Sequence, residues 1–353
     1  METWSVYVHI PFCRSRCIYC DFVSSAEADP PVARYAQRVV REIEARQRVV
    51  SGVPVSVYVG GGTPSLLPAD LLIQMLAAAR VRPDTGMEVT VEMNPGDADA
   101  DWLAVLRGAG VNRMSIGVQA MSDGRLSFLG RRHSVQQART AVADARAAGF
   151  ENVSVDFIYG TPGQGLQGLQ DELAALLALG SDHVSAYELT VAAGTPLSAM
   201  GDLVFPDDDL RARMWECVGE VLASNGLVRY EVSNYAKRGK ESVHNDHYWD
   251  GGLYLGAGAG AHGCLLQDGI RYRYANTPST GSYLASPDGL PREGIGEGAQ
   301  LERLGGTDVA RELVMLGLRR REGVDVARVL SLVSPSLQPG FENGFCTLVD
   351  EGY

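Results

Sequence analysis

The sequence predicts an α/β fold built on a parallel sheet with crossover helices. Two observations carry this. Short apolar, β-branched runs alternate with segments of helix length from the first residues to about residue 195, the rhythm of consecutive β-α units. Several of the strand runs also end in polar or glycine-rich words, where parallel sheets receive ligands. The alternation fits a doubly wound sheet and a barrel equally well.

In chain order, Ser5–Ile10 reads as the first strand. Pro30-Pro31 then opens a helix over Val32–Val50, with Val39, Val40 and Ile43 near one face. Strands at Val55–Val59, Glu88–Glu92, Arg113–Val118, Val153–Ile158 and Val184–Leu189 follow, separated by helices at Ala69–Ala79, Ala100–Gly108, Val135–Ala148 and Leu169–Leu179. Ser134 and Gly149 suit the cap and the stop of the fourth helix. After Thr195 the rhythm changes. A helix is expected over Asp207–Asn225, then a mixed stretch rich in Gly, Tyr and Asn to about Pro291. Thr307–Leu318 and Val324–Leu332 read as helical, and Phe345–Val349 as an unpaired strand. The expected division is a core over 1–200, an extension over 201–300 and a short C-terminal module over 301–353.

A chain of 353 residues is long enough for a large core. Its net charge of −12 argues against nonspecific binding to nucleic acid or an anionic membrane. No apolar run is long enough for a transmembrane segment, and the N-terminus lacks the pattern of a secretory signal. A cytoplasmic protein with reduced thiols is expected. Cys217, Cys264 and Cys346 lie far apart and are expected to be buried as small hydrophobes.

The other three cysteines form the word Cys13-Arg14-Ser15-Arg16-Cys17-Ile18-Tyr19-Cys20. Thiolates suit iron–sulfur clusters and zinc. Structural zinc asks for four closing ligands, and no second CxxC-like pair is present. A [4Fe-4S] cluster held by three cysteines keeps one iron free of protein and open to a small molecule. The spacing resembles the CxxxCxxC signature of the radical S-adenosylmethionine (SAM) family. Tyr7-Val8-His9-Ile10-Pro11-Phe12-Cys13 and Tyr19-Cys20-Asp21-Phe22 resemble the branch that holds oxygen-independent coproporphyrinogen III oxidase (HemN) and the haem chaperones of the HemW type. The resemblance implies a partial, open (β/α)6 TIM-like barrel with a mixed extension and a C-terminal module that is shorter here than in the family. It also implies SAM chelated at the open iron, with an electron donor required if SAM is cleaved.

The SAM residues follow from the same resemblance. Gly60-Gly61-Gly62-Thr63-Pro64 matches the family's glycine-rich motif, placing Gly61, Gly62 and Thr63 at the methionyl amino group; glycine also permits close backbone approach. Glu92, Gln119 and Asp156 are polar groups on successive apolar strands, and an unpaired buried carboxylate at Asp156 would be costly. Arg131 supplies a fixed positive charge suited to a carboxylate. The resemblance puts Tyr7 and Glu92 at the cluster-bound SAM. It puts Tyr19, Gly62, Thr63, Gln119, Arg131 and Asp156 around a second SAM-sized space known in the oxidase. His133 and His183 are expected to cap or pack.

Two features point away from the oxidase. It carries a further cysteine where this chain has Phe22, and an N-terminal extension ahead of the first strand, which here begins almost at once. His244-Asn245-Asp246-His247-Tyr248-Trp249 matches the HNxxYW motif of the chaperone type. Imidazole is a common haem ligand and aromatic neighbours can cover the macrocycle, so His244 is the expected haem-binding residue, with His247 and His262 as alternates. Gly256–Ala261 lacks the Lys-Ser/Thr ending of a phosphate loop and reads as close backbone packing. The expectation is a haem chaperone that binds haem and a SAM-coordinated [4Fe-4S] cluster and passes haem to an acceptor haemoprotein. The alternative is a radical SAM oxidoreductase acting on a porphyrinogen. The oligomeric state, a homodimer included, stays open.

Overall fold

The computed structural model describes residues 3–83, 85–288 and 300–351. Six parallel strands follow one another in both sequence and space: β1 (Trp4–Ile10), β2 (Ser56–Gly61), β3 (Glu88–Met93), β4 (Arg113–Gln119), β5 (Val153–Tyr159) and β6 (His183–Glu188). The helices between them are α1 (Val32–Arg46), α2 (Ala69–Ala78), α3 (Ala100–Gly108), α4 (Asp123–Phe128), α5 (Val135–Ala147) and α6 (Leu166–Leu177), with α7 (Asp208–Ser224) after β6. A sequential strand order excludes the doubly wound alternative, whose order reverses at a switch point. The sheet curls into a barrel that does not close. β1 pairs outward with β9 (Leu253–Ala257) and β6 pairs outward with β8 (Asn234–Ala236), giving one twelve-stranded sheet among the described residues.

The strands alternate with period two. Val6, Val8, Val57, Val91, Ile116 and Val155 face the helices and are fully buried. The intervening positions, among them Tyr58, Glu92, Arg113, Ser115 and Asp156, face the barrel lumen. The apolar strands with polar members noted in the sequence are thus two-sided: one face builds the core and the other builds a site.

Beyond the barrel come β7 (Val228–Arg229), β8 (Asn234–Ala236), α8 (Val243–Trp249), β9 (Leu253–Ala257), β10 (His262–Gln267), β11 (Ile270–Ala275), α9 (Thr280–Ala285), β12 (Gln300–Leu304), α10 (Gly306–Gly317), α11 (Val326–Leu332) and α12 (Gln338–Asp350). α8 lies across the barrel floor, packed on β1, β2 and β9. The Glu88 carboxylate accepts from the backbone N–H of Val243 at 3.0 Å and of His244 at 2.9 Å, satisfying donors that a helix start leaves free. α1 is tied to the extension through buried Glu42. Its carboxylate pairs with Arg46 at 2.7 Å and accepts from Gly258 N–H at 2.9 Å and Asn276 Nδ2 at 2.8 Å, with the Tyr283 hydroxyl as a further donor.

Two expectations are corrected. Phe345–Val349 is not a strand but lies within α12. Pro339 stands in that helix's first turn, and Phe341 and Phe345, four apart, pack on the same core. Cys346 is exposed rather than buried, while Cys217 and Cys264 are buried as expected. His133 and His183 do pack: His133 Nε2 meets Val118 O at 3.1 Å, and His183 bridges Ser154 and Tyr230. Ser134 caps α5 with a complete capping box. The expected end of the mixed stretch at Pro291 lies outside the described residues, as do Gly352 and Tyr353.

Candidate SAM and cluster site

The cysteine loop leaves β1 at Pro11 and is pinned at its base. Phe12 is buried edge-on against Tyr35 at 5.0 Å. Cys13 N–H donates to Ser25 O at 2.9 Å and Ser25 N–H to Pro11 O at 2.7 Å, closing residues 13–25 into one loop. His9 adds a strut. Its Nε2 meets Val23 O at 2.7 Å and its Nδ1 meets the Tyr7 hydroxyl at 3.0 Å. Because a carbonyl only accepts, Nε2 carries the proton and Tyr7 donates to Nδ1.

Gly61 and Gly62 let β2 pass beneath this loop. Gly61 has φ +114°, and a Cβ there would fall 2.5 Å from the His9 ring. A Cβ on Gly62 would stand 2.8 Å from Phe12 O and 3.0 Å from Cys13 Sγ. Gly62 N–H instead donates to Ile10 O at 2.7 Å.

A cavity of about 510 Å³ opens below the loop. It brings together Cys13, Cys17 and Cys20 with Tyr19, Gly61, Gly62 and Thr63; deeper in the lumen it is lined by Glu92, Gln119, Arg131 and Asp156. Thr63 Oγ1 donates to Cys13 Sγ at 3.6 Å and Arg131 Nη1 to Cys17 Sγ at 3.5 Å. Arg131 also donates to Gly117 O at 3.0 Å and to Asn94 Oδ1, while Asn94 Nδ2 reaches Thr63 Oγ1 at 3.0 Å. Arg131, Asn94 and Thr63 thus make a continuous donor chain to two of the three thiols, suited to stabilising thiolate charge. Gln119 sits at φ +64° where the β4–β5 register shifts. Such a conformation is uncommon for a residue with a Cβ and gathers at functional sites.

Glu92 accepts from Tyr58 OH at 2.8 Å and Gly61 N–H at 2.9 Å. Burial, and then the neighbouring Asp156 charge, push it up to about 7. Burial likewise pushes Asp156 up to about 6. Between them stands Arg113, 2 % exposed, whose Nε has no partner among the described residues. The lumen is therefore a polar chamber in which the Glu92 and Asp156 carboxylates stand close to the Arg113 guanidinium.

Two expected residues fall elsewhere. Tyr7 does not line the cavity; it stacks beneath Tyr58 at 6.1 Å, with its hydroxyl turned to His9. His244 is buried in the barrel floor, 5.1 Å from the Tyr58 ring, with Nδ1 against Ser56 Oγ at 3.0 Å. Burial pushes its imidazole down to about 3. The sequence reading missed His9, Asn94 and Arg113. Asn94 had a signal, standing two residues past Glu92 in the same word. So did Arg113, in phase with Ser115 and Gly117 on one strand face.

No three His, Cys, Asp or Glu side chains converge on a single-ion site among the described residues. Three thiols spread around one cavity suit a cluster, whose cysteines sit on separate irons.

The Radical SAM superfamily model matches residues 7–176. Over 341 residues the chain is 38% identical to "Heme chaperone HemW" of Mycobacterium tuberculosis, covering 93% of this chain and 84% of that protein. It is 38% identical over 330 residues to the mouse mitochondrial "Radical S-adenosyl methionine domain-containing protein 1", covering 91% and 74%. The solved coproporphyrinogen III oxidase HemN from Escherichia coli superimposes with a TM-score of 0.78 at 21% identity, covering 94% of this chain and 78% of that one. That last likeness supports the fold alone. With this identity running through barrel and extension alike, the chain belongs to the heme chaperone HemW family of radical SAM proteins.

Proposed function

We propose that the protein is a haem chaperone: it binds haem, carries a SAM-coordinated [4Fe-4S] cluster, and passes haem to an acceptor haemoprotein. The observation that carries the reading is the 38% identity to a HemW protein across 93% of this chain, extension included. The alternative, porphyrinogen oxidation, asks for the oxidase's further cysteine, and Phe22 stands there with its ring exposed.

Cys13, Cys17 and Cys20 would hold the cluster, which supplies the open iron for SAM and the electron for any SAM cleavage. Thr63 and Arg131 hold the thiolate charge at Cys13 and Cys17. Glu92, kept in place by Gly61 N–H and Tyr58 OH, would accept from the N–H of SAM's amino group. Gln119, Arg131 and Asp156 present polar groups to the remainder of SAM or to a second SAM-sized molecule. Tyr7 acts through His9 on the cluster loop rather than on the ligand. Transfer requires contact with an acceptor haemoprotein, and any SAM cleavage requires an electron donor.

Glu92 gives a pH signature. An N–H donor prefers the carboxylate form over the protonated acid, and the free site holds a proton below about pH 7. SAM affinity is therefore expected to rise as pH increases from 6 to 8, by up to about tenfold per unit below the pKa. Glu92→Gln removes this slope and weakens binding at pH 8. SAM titrations followed by the cluster's EPR signal check it, and a flat profile in the wild type contradicts it.

The function itself is tested by incubating the reconstituted, reduced protein anaerobically with SAM and coproporphyrinogen III, beside a haem titration. A saturable Soret band with no decarboxylated product is expected. Turnover to protoporphyrinogen without haem binding refutes the chaperone reading.

A further inference from the structure

The sheet runs on past the barrel, and its extension makes a second compartment. β9 continues from β1 with Tyr254 in register with Ser5 and Gly256 with Tyr7. The sheet face that lines the lumen therefore extends across β9–β12. On it Tyr254, Cys264, Arg273 and Glu302 form a row over four strands. α10 lies above this row and leaves a slot of about 400 Å³ between helix and sheet. α8 is the partition between the two compartments. His244 packs on Tyr58 and Tyr7, and Asn245 lines the cluster cavity. One turn on, Tyr248 stands 4.7 Å from the Tyr254 ring and lines the slot.

We propose that this slot receives the flat macrocycle of an iron tetrapyrrole carrying carboxylate side chains, with His262 as a ligand to its iron and Arg271 as the partner of a carboxylate. The proposal rests on the haem-chaperone reading and locates its binding site. The slot lies between a sheet face and a helix, beside the Arg273–Glu312 ion pair that ties the two together, so a planar ligand would lie between strand and helix side chains. Tyr248, Tyr254, Met315 and Leu316 give those walls apolar and aromatic surface, as small-molecule pockets require. Met315, 63 % exposed at the mouth, is the adaptable kind of side chain that can move aside for a ligand.

The polar groups in the slot are equally placed. His262 is exposed on β10 and lines the cavity. Partial desolvation of its ring against the slot, and then the charge of Arg273, hold its imidazole below the usual range, in the neutral form that binds metals. Arg273 is already held by Glu302 and Glu312. Arg271 donates to Gly251 O at 3.0 Å and has no carboxylate partner among the described residues, so its fork is available to an incoming one. His244, by contrast, is on the other side of α8, with its ring fixed by Ser56. The 244–249 word meets the macrocycle through Tyr248.

Haem titration of the reconstituted full chain tests this, using His262→Ala, Arg271→Gln, Met315→Trp and His244→Ala. His262→Ala is expected to shift the Soret band and weaken binding about tenfold or more, and Arg271→Gln to weaken it roughly tenfold without moving the band. Met315→Trp fills the mouth and lowers occupancy. Iron content and the SAM-induced EPR change, measured on each variant, show that the barrel is intact. Wild-type affinity and spectrum in both His262→Ala and Arg271→Gln overturn the slot. So does a Soret signature lost in His244→Ala alone. If the wild type shows no saturable haem binding, the chaperone reading fails and the slot fails with it; if only the variants are indifferent, the slot alone fails.

Discussion

Cys17→Ala is expected to lose essentially all of its cluster: reconstituted protein stays colourless and holds under about one tenth of the wild-type iron and sulfide. The reason is ligand number. Three thiols hold the cluster, and among the described residues no fourth cysteine lines the cavity. Cys217 and Cys264 are buried, and Cys346 is exposed on α12. Arg131 donates to Cys17 Sγ at 3.5 Å, but it is a cation that supports a thiolate and binds no metal. Cys13→Ala and Cys20→Ala are expected to behave alike, and Cys346→Ala to match the wild type. Iron and sulfide analysis with EPR of the reduced protein decides this. A Cys17→Ala protein with four irons and a wild-type spectrum contradicts the assignment of the loop.

Glu42→Ala is expected to give the largest loss of stability among single substitutions outside the cluster, about 3–5 kcal/mol. Glu42 is fully buried on α1, between Arg38 and Arg46. Its carboxylate also accepts from Gly258 N–H, Asn276 and Tyr283, joining α1, the β9–β10 turn and α9. Removing it takes the 2.7 Å carboxylate partner from buried Arg46, leaves buried Arg38 with Asp288 as its carboxylate partner, and leaves three donors without this acceptor. The same network reaches the cluster loop, since Tyr35 OH accepts from Ala259 N–H and donates to His9 O. Urea unfolding followed by circular dichroism measures the loss. Glu42→Gln keeps an acceptor and is expected to lose less; equal midpoints for Glu42→Ala and the wild type refute the account.

Much of this was legible in the sequence because it is local. Period-two alternation in Val153–Ile158 exposes a strand, and Asp156 within it exposes a two-sided one. Ser134 and Gly149 mark their helix because capping is a matter of neighbouring residues. The cysteine spacing and the glycine run are likewise local, and the structure gathers them at one cavity. What stayed hidden depends on contacts distant in sequence. α8 is seven residues long, too short to show periodicity, and its start is capped by Glu88, over 150 positions away. The two faces of that helix, His244 toward the lumen and Tyr248 toward the slot, follow from packing on β1, β2 and β9. Arg113 reads as an ordinary strand-end cation until the barrel curls around it. Phe345–Val349 misled because its β-branched and aromatic composition imitates a strand, whereas the spacing from Phe341 to Phe345 is helical.

The most direct test of the central claim is a haem hand-over experiment. Haem-loaded, cluster-reconstituted protein is mixed with haem-depleted extract of its own host, with excess apomyoglobin present to trap free haem. The account predicts that haemoproteins of the extract acquire haem in spite of the trap, and faster than the trap alone draws haem from the protein. If all of the haem passes to apomyoglobin at the spontaneous release rate, the protein is a haem binder and not a chaperone.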